Sequence, residues 1–367
     1  MGKIRALRYP ILMTTYKESG VDVEAGDRAS KAAYKRASDT FTNRKGMLGE
    51  PVLEEGGYAG LLDMGDYYLV HTTDGTGTKM DLAAAMDKYD TLGYDLLAMV
   101  ADDIVCAGAE VVSVSNCIDV PKVDAEMIDS LMQGLSQACT EQKIVIPAGE
   151  IAEVPGAVTR GVWSAAAVGV VAKDRVIRPE TIEPGDAVIS LRSAVVRSNG
   201  FSLVRKILSD KFGAQWHKQE WKDGTSWGEV MLTPSIVYHA AVLALIGRFG
   251  QERAVPVKGI SHITGGGIPS KLQRILKKSG LGAELTDLWP PHDALADLIK
   301  LGDVPTEEAY DTWNMGNGMM IVVAEEHAER TIKILKDQGI DAKKAGMISK
   351  DPTIVLNACS GEKLRYA

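Results

Sequence analysis

The sequence predicts an α/β (α+β) protein of two domains, and three observations carry that reading. Its 367 residues are enough for two hydrophobic cores. In both halves, short β-preferring runs stop at glycine-rich turns and lead into helices whose apolar residues recur at spacings of three and four. Between the halves the stretch Ala172-Lys173-Asp174-Arg175-Val176-Ile177-Arg178-Pro179-Glu180 turns charged and reaches a proline, which sets domains at 1–172 and 173–367.

In chain order, the start Met1-Gly2-Lys3-Ile4-Arg5 is basic but has no apolar stretch with a small-residue cleavage site after it, so no secretory signal is read. Residues 14–30 begin polar and pass into a helix-like run. Lys17 and Asp22 there belong either to a flexible arm or to a segment that closes over a bound nucleotide. Tyr67-Tyr68-Leu69-Val70 reads as a strand that stops at the turn of residues 71–81. That turn carries Asp74, Gly75, Gly77, Thr78 and Lys79: a carboxylate for a metal, uncovered backbone N–H groups and an ammonium. It is not a P-loop, because the acid precedes the glycines and no Lys-Ser/Thr ending follows. A glycine turn with a solvated lysine is the plainer alternative.

Residues 91–108 read as a helix through Leu92, Leu96, Met99, Val100 and Ile104. Asp95 and Asp102 share one of its faces, and Asp103 points about 100° further round. The Asp102-Asp103 pair lies among apolar neighbours, where a carboxylate wants a partner. Asp74 and Asp103 are therefore candidates for a hard cation such as Mg²⁺, which needs few protein carboxylates. Strands follow at 110–115 and 143–147, flanking a helix over 124–139; the second strand ends at Ala148-Gly149-Glu150. Glu150 is either a third acid at the same rim or a turn residue in solvent. Trp163 to Val171 is a buried strand.

The second half opens with a strand at 186–191 and then Arg197-Ser198-Asn199-Gly200, where Ser198 or Asn199 can cap the next helix. Residues 212–230, with Trp216, Trp221 and Trp227, lack periodicity and read as an irregular insertion. A helix over 231–247 has Pro234 near its start. His262-Ile263-Thr264-Gly265-Gly266-Gly267 precedes another helix and forms a second anion cradle. A lone His262 reads as structural; its place beside the glycines favours ligand contact. A glycine turn at 312–318 enters a strand, followed by the helix 326–338 and strands at 344–348 and 353–357.

Composition narrows the classes. Hydrophobic residues make up 45% and charged residues 25%, and no apolar run approaches the roughly 20 residues of a bilayer span. Cys106, Cys117, Cys139 and Cys359 form no zinc-ligand spacing and read as reduced, buried thiols of a cytoplasmic protein. A net charge of −8 argues against a nucleic-acid partner.

Six segments in order resemble the phosphoribosylformylglycinamidine cyclo-ligase (aminoimidazole ribonucleotide synthetase) family: Tyr16-Lys17-Glu18-Ser19-Gly20-Val21-Asp22, Thr73 to Lys79, Gly149 to Gly156, Ser198 to Lys206, His262 to Gly267 and Asn314-Met315-Gly316. The resemblance implies an N-terminal sheet that pairs with a partner's to form a barrel between the subunits of a homodimer, then a second α/β domain. It implies ATP and Mg²⁺ as cofactors and a small phosphoribosyl substrate. By the same resemblance Lys17, Asp22, Gly75, Gly77, Thr78 and Lys79 meet ATP, and Asp74, Asp103 and Glu150 hold the metal. Arg197, Ser198, Asn199, Gly200 and Thr264, Gly265, Gly266, Gly267 meet the substrate, with Lys79, Asp74 and His262 in catalytic roles. The sequence departs from the family at Asn116, usually Asp; Ala148, usually Gly; Ile151, usually Thr; and Arg197, usually His. A divergent relative, acting on another small substrate or binding nucleotide without turnover, is the alternative.

Overall fold

A computed structural model of the protein describes residues 16–52 and 57–367. The chain start read for a signal lies outside the described residues. The N-terminal domain contains α1 (Val23–Ser38), β1 (Glu50–Val52), β2 (Gly60–Asp63), β3 (Tyr67–Gly75), α2 (Lys79–Met86), α3 (Leu92–Cys106), β4 (Glu110–Val120), α4 (Ala125–Gln142), β5 (Val145–Glu153) and β6 (Val162–Ala172). Its sheet runs β1-β2-β3-β6-β4-β5 and is antiparallel except for β4 and β5, which the α4 crossover makes parallel.

One face of this sheet is packed and the other is not. Along β6, Trp163, Ala165, Ala167 and Val171 are buried while Val162, Ser164, Ala166 and Val168 are less covered. The packed face carries α3 and α4, which cross where glycines let their backbones touch. A Cβ on Gly93 or Gly134 would come within 2.0 Å of the opposing backbone.

The C-terminal domain follows with β7 (Ala187–Arg192), α5 (Phe201–Phe212), β8 (Glu220–Lys222), β9 (Thr225–Ser226), α6 (Trp227–Met231), α7 (His239–Ile246), β10 (Val257–His262), α8 (Gly267–Leu276), β11 (Gly282–Leu285), α9 (Asp293–Leu301), α10 (Thr306–Thr312), β12 (Asn317–Val323), α11 (Ala328–Asp337), β13 (Ala342–Ser349), β14 (Ile354–Asn357) and β15 (Lys363–Tyr366). Its seven-stranded sheet has the order β10-β12-β7-β13-β11-β14-β15. Ala187, Ile189, Leu191, Met319 and Ile321 pack towards α7 and α11; Val188, Met320 and Val322 join the larger core with α5 and α8. Val105 and Cys106, at the end of α3, pack into the α7 core, so α3 belongs to both domains.

Four expectations change. The strand at Tyr67 does not stop at residue 71 but carries Asp74 in β3, and β5 likewise runs through Ala148-Gly149-Glu150, because pairing with neighbours outweighs the glycines' turn preference. Neither Ser198 nor Asn199 caps α5; Gly200 stands at the cap with φ 71°. Residues 212–230 form the β8–β9 hairpin and α6 rather than an irregular insertion, with Trp216 and Trp227 buried in the core. The helix expected from 231 is interrupted around Pro234 and resumes at His239, since proline lacks an N–H and disfavours helix before it.

Candidate active site at the domain junction

Asp74 lies near the end of β3 on the same face as Val70, the face that packs on α3. Its Oδ1 accepts a 2.7 Å hydrogen bond from its neighbour's N–H, Gly75. Burial pushes its carboxyl up to about 6, with the Gly75 N–H opposing and the nearby Asp103 charge adding. Asp103, near the end of α3, receives Nδ1 of His262 at 2.7 Å. Burial raises Asp103 to about 7 against the pull of Lys271 and Arg274 on α8 and of Arg197. Two carboxylates held this way, each disfavoured as an anion, suit a divalent cation that also takes phosphate oxygens and waters. Among the described residues no group of three acids, histidines and cysteines is assembled for a metal.

Glu150 does not join this pair within one chain. Asp74 pairs with Ala165, Ala165 with Asn116, and Asn116 with Gly149, so Glu150 sits about 14 Å away across three strand spacings, exposed on the edge strand. Lys79 departs further from expectation. Its side chain is 0% exposed, and its Nζ donates to Asp95 at 2.9 Å and to the Thr233 carbonyl at 2.8 Å, which leaves no ammonium at the turn surface. Burial lowers its pKa while Asp95 opposes that shift. His262 is also fully buried, and burial with the Arg197 charge drives it down to about 3, so the ring is neutral, with its Nδ1 engaged by Asp103.

Arg197 is 1% exposed, with its guanidinium held by the protein. Its guanidinium donates to Asp102 at 2.8 Å, to the Gly318 carbonyl at 3.2 Å and to the Ile236 carbonyl at 3.3 Å, and it lies over the Tyr238 ring. Asn116 accepts from the Trp163 indole N–H at 3.1 Å. Lys17 and Asp22 pair with each other at 3.4 Å, and Asp22 caps α1 through the Ala25 N–H.

The glycine loops do converge. A Cβ on Gly77 would lie 3.9 Å from the Ser198 carbonyl, and one on Gly265 3.7 Å from the Asn199 amide nitrogen. Thr78 and Ser202 hydroxyls are 3.5 Å apart. Among the described residues, Ser198 Oγ and Asn199 Oδ1 are buried without a hydrogen-bond partner. Gly267 has φ 58°, and a Cβ there would meet the Tyr310 carbonyl at 1.7 Å, so the 264–267 turn requires glycine. Beside these loops a cavity of about 470 Å³ is lined by Ser202, Arg205, Lys206 and Ser209 from one face of α5, with Arg160 and Asp81 opposite. Arg160 and Arg205 both pair with Asp81.

Sequence reasoning missed the partners of α3, because its apolar neighbours hid that Asp95 and Asp102 bind the other domain. It also passed over Lys271 and Arg274, although their spacing of three just after the glycine triplet places them on one helix face. The spacing of Ser202, Arg205, Lys206 and Ser209 was a readable sign of the cavity wall.

Comparison with known proteins agrees with this architecture. Residues 56–171 match the family model "AIR synthase related protein, N-terminal domain", and residues 183–358 match "AIR synthase related protein, C-terminal domain". A phosphoribosylformylglycinamidine cyclo-ligase of Thermococcus kodakarensis is 38% identical over 93% of this chain and 97% of its own length. That of Pyrococcus furiosus is 37% identical over 94% and 98%, and that of Clostridium perfringens 36% over 92% and 97%. Among solved structures, a chain of a HypE-HypF complex superposes with TM-score 0.60 at 17% identity, covering 85% of this chain and 93% of that one. T. maritima PurL complexed with FGAR gives 0.59 at 14%, covering 89% and 49%; at these identities the likeness is one of fold. With near full-length relatives well above 30% identity and both domain models matched in order, the chain belongs to the phosphoribosylformylglycinamidine cyclo-ligase family.

Proposed function

We propose that this protein closes the imidazole ring of aminoimidazole ribonucleotide from formylglycinamidine ribonucleotide, using ATP and releasing ADP and phosphate in purine biosynthesis. The observation that carries the reading is the meeting of the 75–78, 198–200 and 264–267 loops beside Asp74 and Asp103, in a chain of this family. ATP would phosphorylate the formyl amide oxygen, and the amidine nitrogen would then displace phosphate from the activated carbon, forming the C–N bond.

In this chemistry the protein positions and compensates charge. Asp74 and Asp103 would hold Mg²⁺, which when bound supplies positive charge to the phosphoryl group. Lys271 and Arg274, whose positive charges act on Asp103, would help to offset the charge of the phosphates. Unpartnered Ser198 and Asn199, with the N–H groups of the glycine turns, would orient the ribotide. The basic cavity beside α5 is wide enough for its phosphate end.

The enzyme is proposed to work in the cytoplasm as a homodimer, with the uncovered sheet faces closing into a barrel between subunits. Supporting this, Val112, Val145, Ile151 and Val162 on β4, β5 and β6 are 40–62% exposed, an apolar surface expected to be covered. Glu150 lies on the same edge strand and would enter a metal site only across such an interface.

The test follows ADP and aminoimidazole ribonucleotide together in purified protein with Mg-ATP, with and without formylglycinamidine ribonucleotide, for the wild type and Asp74→Asn. Equal yields of ADP and ring product, both lost in Asp74→Asn, support the assignment. Nucleotide binding without ring product transfers the protein to the divergent-relative reading. Unchanged turnover in Asp74→Asn removes that residue from the metal site.

A further inference from the structure

Arg197 stands where the family usually has histidine, and its guanidinium is taken up by partners within the protein. It is a non-glycine residue held at φ 58°, a conformation with a steric cost that surroundings must offset. Those surroundings are three acceptors from three segments: the Asp102 carboxylate on α3, the Gly318 carbonyl in β12 and the Ile236 carbonyl in the segment broken by Pro234. The planar guanidinium answers all three from two separate nitrogens, whereas lysine carries its donors on one nitrogen and a neutral histidine has a single N–H.

The other Asp102 oxygen accepts from the Tyr238 N–H at 2.9 Å. Asp102 is covalently next to Asp103, and its Oδ2 lies 3.8 Å from Nε2 of the same His262 whose Nδ1 holds Asp103. Immediately after Arg197 come Ser198 and Asn199, whose side-chain oxygens are buried and unpartnered at the substrate-side loop. One guanidinium thus joins the end of the acid-bearing helix to the base of that loop.

We propose that Arg197 is a positioning residue: through Asp102 it holds the end of α3 against His262, so that Asp103 faces Asp74 while the 198–200 loop keeps its place. The pair Arg197–Asp102 is then one unit in this chain, and its effect is on metal-assisted turnover rather than on ribotide affinity. This rests on the reading of Asp74 and Asp103 as metal carboxylates.

The experiment compares wild type, Arg197→Lys and the double variant Arg197→Met/Asp102→Asn, which removes both buried charges together and so avoids stranding one. Each is measured for its unfolding midpoint without ligand, for the rise in that midpoint on adding Mg²⁺ alone, and for kcat and the KM of the ribotide. The expected result for the double variant is a ligand-free midpoint near wild type, a diminished Mg²⁺-induced rise, and a kcat lower by roughly tenfold with little change in KM, the usual scale for groups that orient metal ligands. If the double variant does not fold, Arg197→Lys, which keeps a buried cation, is expected to show the same kcat and Mg²⁺ losses.

Wild-type kcat and Mg²⁺ response in a folded variant would overturn the proposal and leave the pair a packing feature. A raised KM with kcat intact would overturn it in favour of substrate contact by Arg197. Asp74→Asn and Asp103→Asn run alongside keep the two readings apart. If both retain the Mg²⁺ response of the wild type, the metal assignment fails, whatever Arg197 does.

Discussion

Replacing Lys79 by methionine separates two roles for the same ammonium. The glycine-turn motif places it on a phosphate; the structure seals it against Asp95 and the Thr233 carbonyl with both side chains of the ion pair 0% exposed. Without the ammonium, Asp95 keeps, among the described residues, the Ser235 N–H at 3.2 Å and the Ser235 hydroxyl. A buried carboxylate stripped of its cation costs about 3–5 kcal/mol. For domains of this size that lowers the unfolding midpoint by on the order of 10 °C. Adding Asp95→Asn removes the stranded charge while keeping an acceptor for Ser235, and is expected to restore most of the loss. Scanning calorimetry of the single and double variants reads the stability, and ADP release at a temperature where both are folded reads the chemistry. A Lys79→Met protein that melts like the wild type yet makes no ADP would refute the burial argument and return Lys79 to the phosphate.

Three further outcomes follow from the same geometry. Asp74 and Asp103 have folded-state carboxyls raised to about 6 and about 7, so the unfolded chain releases their protons first. Their contribution to metal-free stability is present below about pH 4 and is lost as pH rises through 6 to 7. Because protons compete with the cation, the Mg²⁺-induced rise in unfolding midpoint is expected to be larger at pH 8 than at pH 6; equal rises would exclude these carboxylates as the ligands. Ile151→Glu, on an exposed edge-strand position, is expected to shift the protein from dimer to monomer in light scattering with the ligand-free fold retained in circular dichroism, and an unaltered mass would place the interface elsewhere. Gly267→Ala must push a Cβ into the Tyr310 carbonyl at a positive φ, so it is expected to lose at least about 1–3 kcal/mol of stability, measured by urea unfolding.

The legible part of this protein was its grammar. Apolar spacing located α3, α4, α5 and α8 within a few residues, because a helix that buries one face must repeat at three and four. The motifs at residues 75–78, 198–200 and 264–267 announced loops, and the structure brings those loops together. Strand ends were misread where glycine sat inside a ladder, since cross-strand pairing is set by residues far away in sequence. Lys79 and Arg197 were illegible for a related reason. Whether a cation faces water or a buried carboxylate depends on Asp95 and Asp102, 16 and 95 positions away respectively. Nothing local marks a charge as interior.

Pro234 has a consequence that reaches the whole chain. By breaking the helix it frees the Thr233 and Ile236 carbonyls and the Ser235 and Tyr238 N–H groups, and these are the groups that answer Lys79, Arg197, Asp95 and Asp102. The first half, cut away from the second, would carry Asp102 in the apolar flank of α3 without Arg197 or the Tyr238 N–H, and Asp95 with Lys79 but without Ser235. Two regions that family models recognise separately are thus not interchangeable modules here. The two halves are expected to melt in one transition in calorimetry, a fragment of residues 1–172 to fold poorly, and a graft of either half onto a relative to require the ionic partners of the other.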